Sequence, residues 1–358
     1  VKVKIVIVPK FYPLKVKDLY KDTEQCSVIE FDIPEDLKDK FKYKAGQYLT
    51  LRETVNGEDI RRSYSLCSSP IDDEWKVAVK QIPDGKFSTH VNQFLKKDDT
   101  LQVMKPMGRF GTAISEIPKN YIVFTAGSGI TPILSMIKTH LAKEPNSTFK
   151  LFYLNRTVKT IIFKEEIEQL RNQYFGRLEV FYFLTKESRD SELFNGRFTK
   201  EKLAVIFNKL VNVSELDECF LCGPEEMIFL VKDELIEAGM SVEHIHFELF
   251  VTGLSKKVKP KVNNNQIVKE EEVAITIIDG GKEFRFGMTN NDDNVLDTAL
   301  IAGADLPFAC KGGVCSTCKC KVIEGSVKMK VNYALDEKEV SEQFVLSCQA
   351  VPTSKKVI

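Results

Sequence analysis

Histidine is scarce in this sequence: His90, His140, His244 and His246 are the only four in 358 residues. That supply leaves little room for histidine-based catalysis or a histidine-rich metal centre, and no oxygen-activating set of histidines and carboxylates is read from the chain. An excess of one charge is missing too. Basic and acidic residues balance at 51 each, so no polybasic field invites nucleic acid and no acidic tail marks a charged partner. Long apolar runs are absent. The longest, such as 121–126 and 227–231, fall far short of the roughly 18–20 residues that span a bilayer. No charged segment followed by an apolar stretch opens the chain, so no secretory signal is expected. The nine cysteines are too sparse for a disulfide scaffold, and an odd number pairs poorly. With 43% hydrophobic and 28% charged residues, the composition is that of a folded protein of about two to three domains. The expectation is a soluble, cytoplasmic protein with no membrane or nucleic-acid partner, whose chemistry runs on cysteine and cofactors.

The pattern along the chain changes twice. Short β-rich segments at 3–8, 26–33, 48–51, 62–67 and 76–81 are punctuated by the turn pairs Asn56-Gly57 and Asp84-Gly85, which suggests a small antiparallel barrel. From Tyr121, strands at 121–125, 150–153, 178–184 and 218–222 alternate with helices at 132–142, 160–173, 200–210 and 225–238. Such alternation implies a doubly wound parallel sheet. Residues 251–270 are polar, lysine-rich and aperiodic, as in a linker. A third unit follows, with two alternating strands from Val273 and a helix at 295–302. The expected fold class is thus multidomain, α/β plus β: a β-barrel over 1–116, a parallel α/β domain over 117–250, the linker over 251–270, and a small domain over 271–358.

The last of these holds the densest chemistry. Cys310-x4-Cys315-x2-Cys318, with 29 residues intervening before Cys348, has the plant-type spacing for a [2Fe–2S] cluster. Two irons need four thiolates, and Gly312 and Gly313 supply the permissive backbone and the N–H donors for a tight wrap. Zinc competes for such residues. However, Cys219-x2-Cys222 lies much too far from Cys315-x2-Cys318 for a zinc ribbon, and neither pair accounts for Cys310. Cys320 is given no ligand role. The segment from Leu306 to Cys315, Leu-Pro-Phe-Ala-Cys-Lys-Gly-Gly-Val-Cys, resembles plant-type ferredoxins. Leu346-Ser347-Cys348-Gln349 resembles the stretch carrying their fourth ligand. This resemblance covers 271–358 and implies a β-grasp fold.

Arg62-Ser63-Tyr64-Ser65 ends a barrel strand. A flavin needs a cation for its pyrophosphate, an aromatic face and a hydroxyl near the reactive ring nitrogen. Arg62, Tyr64 and Ser65 are expected on one strand face. Gly85-Lys86-Phe87-Ser88 adds backbone N–H groups at a helix start. Together these segments resemble the ferredoxin–NADP reductase superfamily. That resemblance implies that Arg62, with Ser63 beside it, meets the FAD pyrophosphate, that Tyr64 packs on the flavin and that Ser65 contacts N5. It further implies that Lys80 is another basic FAD contact and that Gly85, Lys86, Phe87 and Ser88 hold the pyrophosphate's other side. FMN is the alternative flavin.

Thr125-Ala126-Gly127-Ser128-Gly129-Ile130-Thr131-Pro132 leaves a strand and opens a helix, with Pro132 expected at the first helical position. The superfamily carries this form. The likeness assigns Gly127, Ser128, Gly129 and Thr131 to the nicotinamide dinucleotide, and Cys222-Gly223-Pro224 to the nicotinamide side, with Cys222 near C4. After the second strand, Asn155-Arg156-Thr157 offers no acid for a ribose 2′-hydroxyl, while Arg156 suits a 2′-phosphate. NADPH is therefore expected before NADH. Glu248 and Phe250 match the superfamily's terminal acid and aromatic, close to the flavin.

In their order, the three parts resemble the reductase components of multicomponent oxygenases over the full length, and among them the reductases serving phenylacetyl-CoA epoxidation in phenylacetate degradation. This implies electron transfer from NADPH through FAD and [2Fe–2S] to a separate oxygenase of di-iron type, with Ser65, Cys222 and Glu248 at the reaction centre. Reductases of Rieske or other di-iron hydroxylases and of desaturases are the alternatives. A flavin iron–sulfur redox sensor is the non-enzymatic one.

Overall fold

The computed structural model describes residues 10–250, 273–279, 282–289, 292 and 294–358. They form two compact units, Phe11–Phe250 and one within 251–358. The expected linker and the strand expected at 3–8 lie outside the described residues.

The first unit begins with six antiparallel strands: β1 (Phe11–Thr23), β2 (Cys26–Asp32), β3 (Tyr48–Val55), β4 (Glu58–Ser65), β5 (Lys76–Lys80) and β6 (Thr100–Met104). Their order is β4-β3-β6-β1-β2-β5. A bridge between Leu66 and Val77 joins the two edges and closes the barrel. Leu14, Val16, Leu49, Leu51, Val77 and Val103 fill it and are fully buried. A short helix, α1 (Lys38–Phe41), lies between β2 and β3, and α2 (Lys86–Gln93) follows β5. β1 escapes a reading of alternation because its register against β2 shifts twice, between Val16 and Asp18 and between Lys21 and Thr23. Each shift flips the faces that side chains occupy. Pro13 is tolerated because pairing with β2 starts only at Lys15.

The chain then alternates through β7 (Asn120–Ala126), α3 (Ile130–Lys143), β8 (Thr148–Asn155), α4 (Lys164–Gln173), β9 (Leu178–Leu184), α5 (Lys200–Lys209), β10 (Glu218–Gly223), α6 (Glu225–Glu237) and β11 (Ile245–Leu249). The sheet is parallel, in the order β11-β10-β7-β8-β9. After β9 the chain returns to the other side of β7, so the strand order switches between β7 and β10. In open α/β sheets ligands bind at such a switch, outside the carboxyl ends of the strands.

Barrel and sheet share one core. Cys26, Val28, Cys67 and Ala78 from the barrel pack with Ile130, Ile133 and Leu134 of α3. Ser135 Oγ donates to Ser68 O at 2.6 Å, and the Ser69 and Thr139 hydroxyls stand 2.7 Å apart. Asp22 of β1 accepts the backbone N–H of Phe163 at 2.9 Å. The barrel and the α/β layer differ in topology, yet they pack as a single body.

The second unit contains β12 (Val273–Asp279), β13 (Lys282–Met288), α7 (Val295–Ile301), β14 (Lys319–Lys321), β15 (Val327–Met329), α8 (Glu337–Ser341), β16 (Phe344–Leu346), β17 (Ala350–Pro352) and β18 (Lys356–Val357). The β12–β13 hairpin pairs in parallel with β18. Leu296 and Ala299 of α7 pack on Ile277, Phe284 and Phe286 of that sheet. Asn294 caps α7, accepting the N–H of Asp297 at 2.9 Å.

Candidate functional site

β4 ends at the barrel's mouth. Arg62 and Tyr64 share a face, as a period of two requires, whereas Ser65 falls on the other. The expected common face for all three is thereby corrected. Arg62 is exposed, with Nη1 donating to Arg61 O at 2.7 Å. The Tyr64 ring stacks on Phe87 of α2, with centroids 5.8 Å apart. Ser63 shares a hydrogen bond with Thr50, 3.1 Å. Buried Ser65 donates from Oγ to Glu248 Oε2 at 3.4 Å, so the strand end of the barrel meets the last strand of the α/β sheet.

Gly85 precedes α2, and a Cβ there would stand 2.4 Å from Ile82 Cγ1 and 2.5 Å from Ser88 Oγ. Ser88 Oγ donates to Gly85 O at 3.1 Å and accepts from Ile82 N at 3.2 Å. Its side chain thus locks the turn, and the amides of the helix's first turn, which lack intrahelical acceptors, are what remain for an anion. Lys86 pairs with Glu58 at 2.5 Å, so its cation is already engaged.

At the switch point, β7 runs into Gly127 at φ +54° and a 3₁₀ turn, Gly127–Gly129, before α3 starts at Ile130. Pro132 is therefore the third residue of α3 rather than the first. It remains within the first turn, where its missing N–H forfeits no helical bond. Thr131 Oγ1 donates to Ser128 O at 3.0 Å. A Cβ on Gly129 would fall 2.3 Å from Cys222 O, to which Thr125 Oγ1 donates at 2.9 Å. Glycine is what lets the loop press against β10.

Cys222 is fully buried, and burial pushes its thiol well above the ordinary range, with Glu248 adding to the effect. It is thus a neutral wall and not a nucleophile. Gly223 and Pro224 lead from β10 into α6. Glu248 stands in register with Cys222 on the neighbouring strand. Burial raises its carboxyl to about 8, against the pull of the Ser65 hydrogen bond. Phe250 packs half-buried on the shared core.

Lys80, expected on the flavin, reaches the glycine loop that follows β7. Its Nζ lies 3.5 Å from where a Cβ on Gly127 would sit. Burial, and then the Arg156 cation, lower its pKa. Arg156 itself is exposed just beyond β8. Two cations lie close enough to repel one another beside the glycine loop.

In the C-terminal unit the four thiols form two pairs, Cys310 with Cys315 and Cys318 with Cys348, each in hydrogen-bond contact. Two irons bound by two thiolates each require this arrangement, whereas one tetrahedral zinc would draw all four to a point. Among the described residues no three ligating side chains converge as a single ion needs. Contact with Cys315 and the N–H groups of Gly312, Val314 and Cys315 bring Cys310 down to about 6 against its burial. The Gly312 N–H donates to Cys310 Sγ at 3.3 Å, and Gln349 Nε2 to Cys348 Sγ at 3.5 Å. These donors suit sulfur that carries negative charge. Cys320 is exposed on β14.

One grouping differs from expectation. His246 and His244 both meet Glu218 Oε2, at 2.8 and 3.5 Å, and the sequence does hold a Glu-x-x-His pair, Glu243 and His246. Lys119 occupies the other Glu218 oxygen at 2.5 Å, which makes the grouping an ion-pair cluster.

Family models match in the same order: the oxidoreductase FAD-binding domain over residues 13–111, the oxidoreductase NAD-binding domain over 123–233, and the 2Fe-2S iron–sulfur cluster binding domain over 277–353. The chain is 39% identical to a component of the 1,2-phenylacetyl-CoA epoxidase of Escherichia coli (strain K12), over 97% of each chain. It belongs to the flavin iron–sulfur reductases of multicomponent oxygenases. The ferredoxin reductase component of 3-ketosteroid-9-alpha-monooxygenase from Rhodococcus rhodochrous is 32% identical, over 95% of this chain and 94% of that one. Phthalate dioxygenase reductase, a solved structure, shares the fold with a TM-score of 0.59 and 22% identity, over 97% of each chain. The reductase uses FAD, a nicotinamide dinucleotide and a [2Fe–2S] cluster, and it supplies electrons to an oxygenase component. Among its described residues no helix is long and apolar enough to cross a membrane. No motif marks Tyr153, whose hydroxyl only the folded chain brings to Gly127 O, at 2.8 Å.

Proposed function

We propose that this reductase draws electrons from NADPH and delivers them to the di-iron oxygenase of a phenylacetyl-CoA epoxidation system in the cytoplasm. The 39% identity to the E. coli epoxidase component supports the pathway. Nine free cysteines, with no disulfide, suit a reducing compartment. The domains run over 1–116, 117–250 and 271–358, with a linker at 251–270.

Arg62 and the first-turn amides of Gly85–Ser88 hold the FAD pyrophosphate, and Tyr64, backed by Phe87, packs against the flavin. Gly127, Ser128, Gly129 and Thr131 shape the loop for the dinucleotide pyrophosphate. Lys80 stands between the two nucleotides, and Arg156 receives the 2′-phosphate. Cys222, Gly223 and Pro224 form the wall against the nicotinamide, with Phe250 behind them. Cys310, Cys315, Cys318 and Cys348 hold the iron. When bound, these groups supply a hydride donor, a flavin able to carry one or two electrons, and a one-electron exit. Glu248 carries its own proton at neutral pH, because burial raises the carboxyl to about 8, and Ser65 Oγ donates its hydroxyl proton to Oε2.

The observation that carries this reading is the meeting of Ser65 with Glu248, beside Cys222. It joins the flavin end of the barrel to the nicotinamide end of the sheet. The loaded protein should reduce ferricyanide with NADPH and should support epoxidation by the cognate oxygenase components. NADPH oxidation that drives a Rieske hydroxylase but not the epoxidase would move the protein to the alternative pathway.

A further inference from the structure

The residue after the fourth cluster cysteine is buried and polar, and no cofactor motif uses its side chain. Gln349 is only 8% exposed, and its carboxamide lies across the glycine turn of the cysteine loop. Gly313 leaves it room, since a Cβ there would stand 3.2 Å from Gln349 Cγ. Gln349 Nε2 donates to Lys311 O at 3.0 Å and to Cys348 Sγ at 3.5 Å, a length that the larger radius of sulfur makes ordinary. An amide nitrogen carries two hydrogens, one for each acceptor. Turned over, the group would set its oxygen against two acceptors, so the network admits one orientation.

The bond to Lys311 reaches further than it first shows. Lys311 stands in the left-handed region, with φ +51°, a conformation that costs any residue bearing a side chain. It turns the peptide between Lys311 and Gly312 so that the N–H donates to Cys310 Sγ at 3.3 Å. The C=O of that same peptide accepts from Gln349. Hydrogen bonds in series polarise one another, so the carboxamide acts on a second sulfur through one peptide. Cys348 is paired with Cys318, and Cys310 with Cys315, so one side chain reaches both halves of the ligand set. On the other side of Cys348, Ser347 grips Cys318 O through Oγ at 3.0 Å and through its backbone N–H at 3.1 Å. The fourth ligand is thus clamped to the loop from both sides.

We infer that Gln349 is a positioning residue of the iron–sulfur cluster that raises its reduction potential. It ties Cys348 to the loop carrying the other three ligands, and it donates toward sulfur in both pairs, directly at Cys348 and through the Lys311–Gly312 peptide at Cys310. Donors to ligand sulfurs favour the state with more negative charge, which is the reduced one. This rests on the four cysteines holding the cluster.

The test uses the full chain loaded with FAD and cluster, titrated with dithionite in the presence of redox mediators while electron paramagnetic resonance follows the reduced cluster. Gln349→Met keeps the length and removes both donors. At a fixed potential its ratio of reduced to oxidised cluster should fall about threefold to tenfold. That is a midpoint lower by about 28–59 mV, at about 59 mV per tenfold for one electron, with about two irons per chain retained. A side chain that only fills space predicts no such shift. A Gln349→Met protein that holds its iron and titrates at or above the wild-type midpoint would overturn the inference. Should the variant fail to hold iron, the wild-type chain carries the test. Made by cell-free synthesis with glutamine labelled with nitrogen-15 at the side-chain amide, its reduced cluster should show coupling to that nitrogen in electron–nuclear double resonance. Absence of the coupling would overturn the inference as well. A wild-type chain that takes up no iron would bring down the four-cysteine site itself, and the inference with it.

Discussion

A carboxyl group with a pKa near 8 is protonated at neutral pH, and Glu248 is in that state because burial disfavours its anion. The folded protein holds this proton up to about pH 8, whereas the unfolded chain releases it near 4.5. Below the lower value the two states bind protons alike and no penalty exists. Between the two, the folded state carries the extra proton, so stability falls as pH rises, and above 8 the loss is complete. Glu248→Gln should flatten this decline and leave the protein about 2 kcal/mol more stable than wild type at pH 9, after discounting for partial exposure. Urea unfolding at pH 5 and pH 9 measures it, and equal slopes for the two proteins would contradict it. Arg156 offers a second test at this scale. Arg156→Ala removes a charge-assisted contact, typically about 1.5–3 kcal/mol. NADPH should lose more than tenfold in kcat/KM while NADH changes little. Equal losses would make the arginine structural.

The loop between β7 and α3 works only because Gly129 lacks a side chain, its missing Cβ lying 2.3 Å from Cys222 O. Gly129→Ala must push loop and strand apart, which should cost about 1–3 kcal/mol and abolish the dinucleotide-induced rise in melting temperature. The cysteine wrap makes an equally local prediction. Cys348→Ser should lose iron, whereas Cys320→Ser should keep about two irons per chain, as iron analysis would show. Both elements were legible in the sequence because their chemistry is written in short spacings: glycines that the backbone requires, and thiols one loop apart. What the sequence hides is long-range. The proximity of Lys80 to Gly127, of Ser65 to Glu248 and of Tyr153 to Gly127 depends on how separate elements pack, and no local pattern encodes it. β1 was hidden for another reason, since its two register shifts erase the period of two. Ser65 parts from the Arg62 face because adjacent residues of a strand point to opposite sides.

For the whole molecule, the two compact units should melt separately, and calorimetry should resolve two transitions rather than three. A chain stopped at Asn264 should keep the unit Phe11–Phe250, reduce ferricyanide with NADPH, and fail to drive the oxygenase because the four cluster cysteines are gone. An oxygenase driven at full rate by that fragment would show that the cluster is not the exit. The seam made by Ser68, Ser69 and Asp22 against α3 and Phe163 bears on how such proteins can be recombined. A crossover placed near residue 117, between the flavin barrel and the nicotinamide layer, would join two halves whose buried hydroxyls and carboxylate no longer find their partners. A crossover placed beyond Phe250 breaks none of these bonds. In chimaeras of related reductases, then, the barrel and sheet must be inherited together.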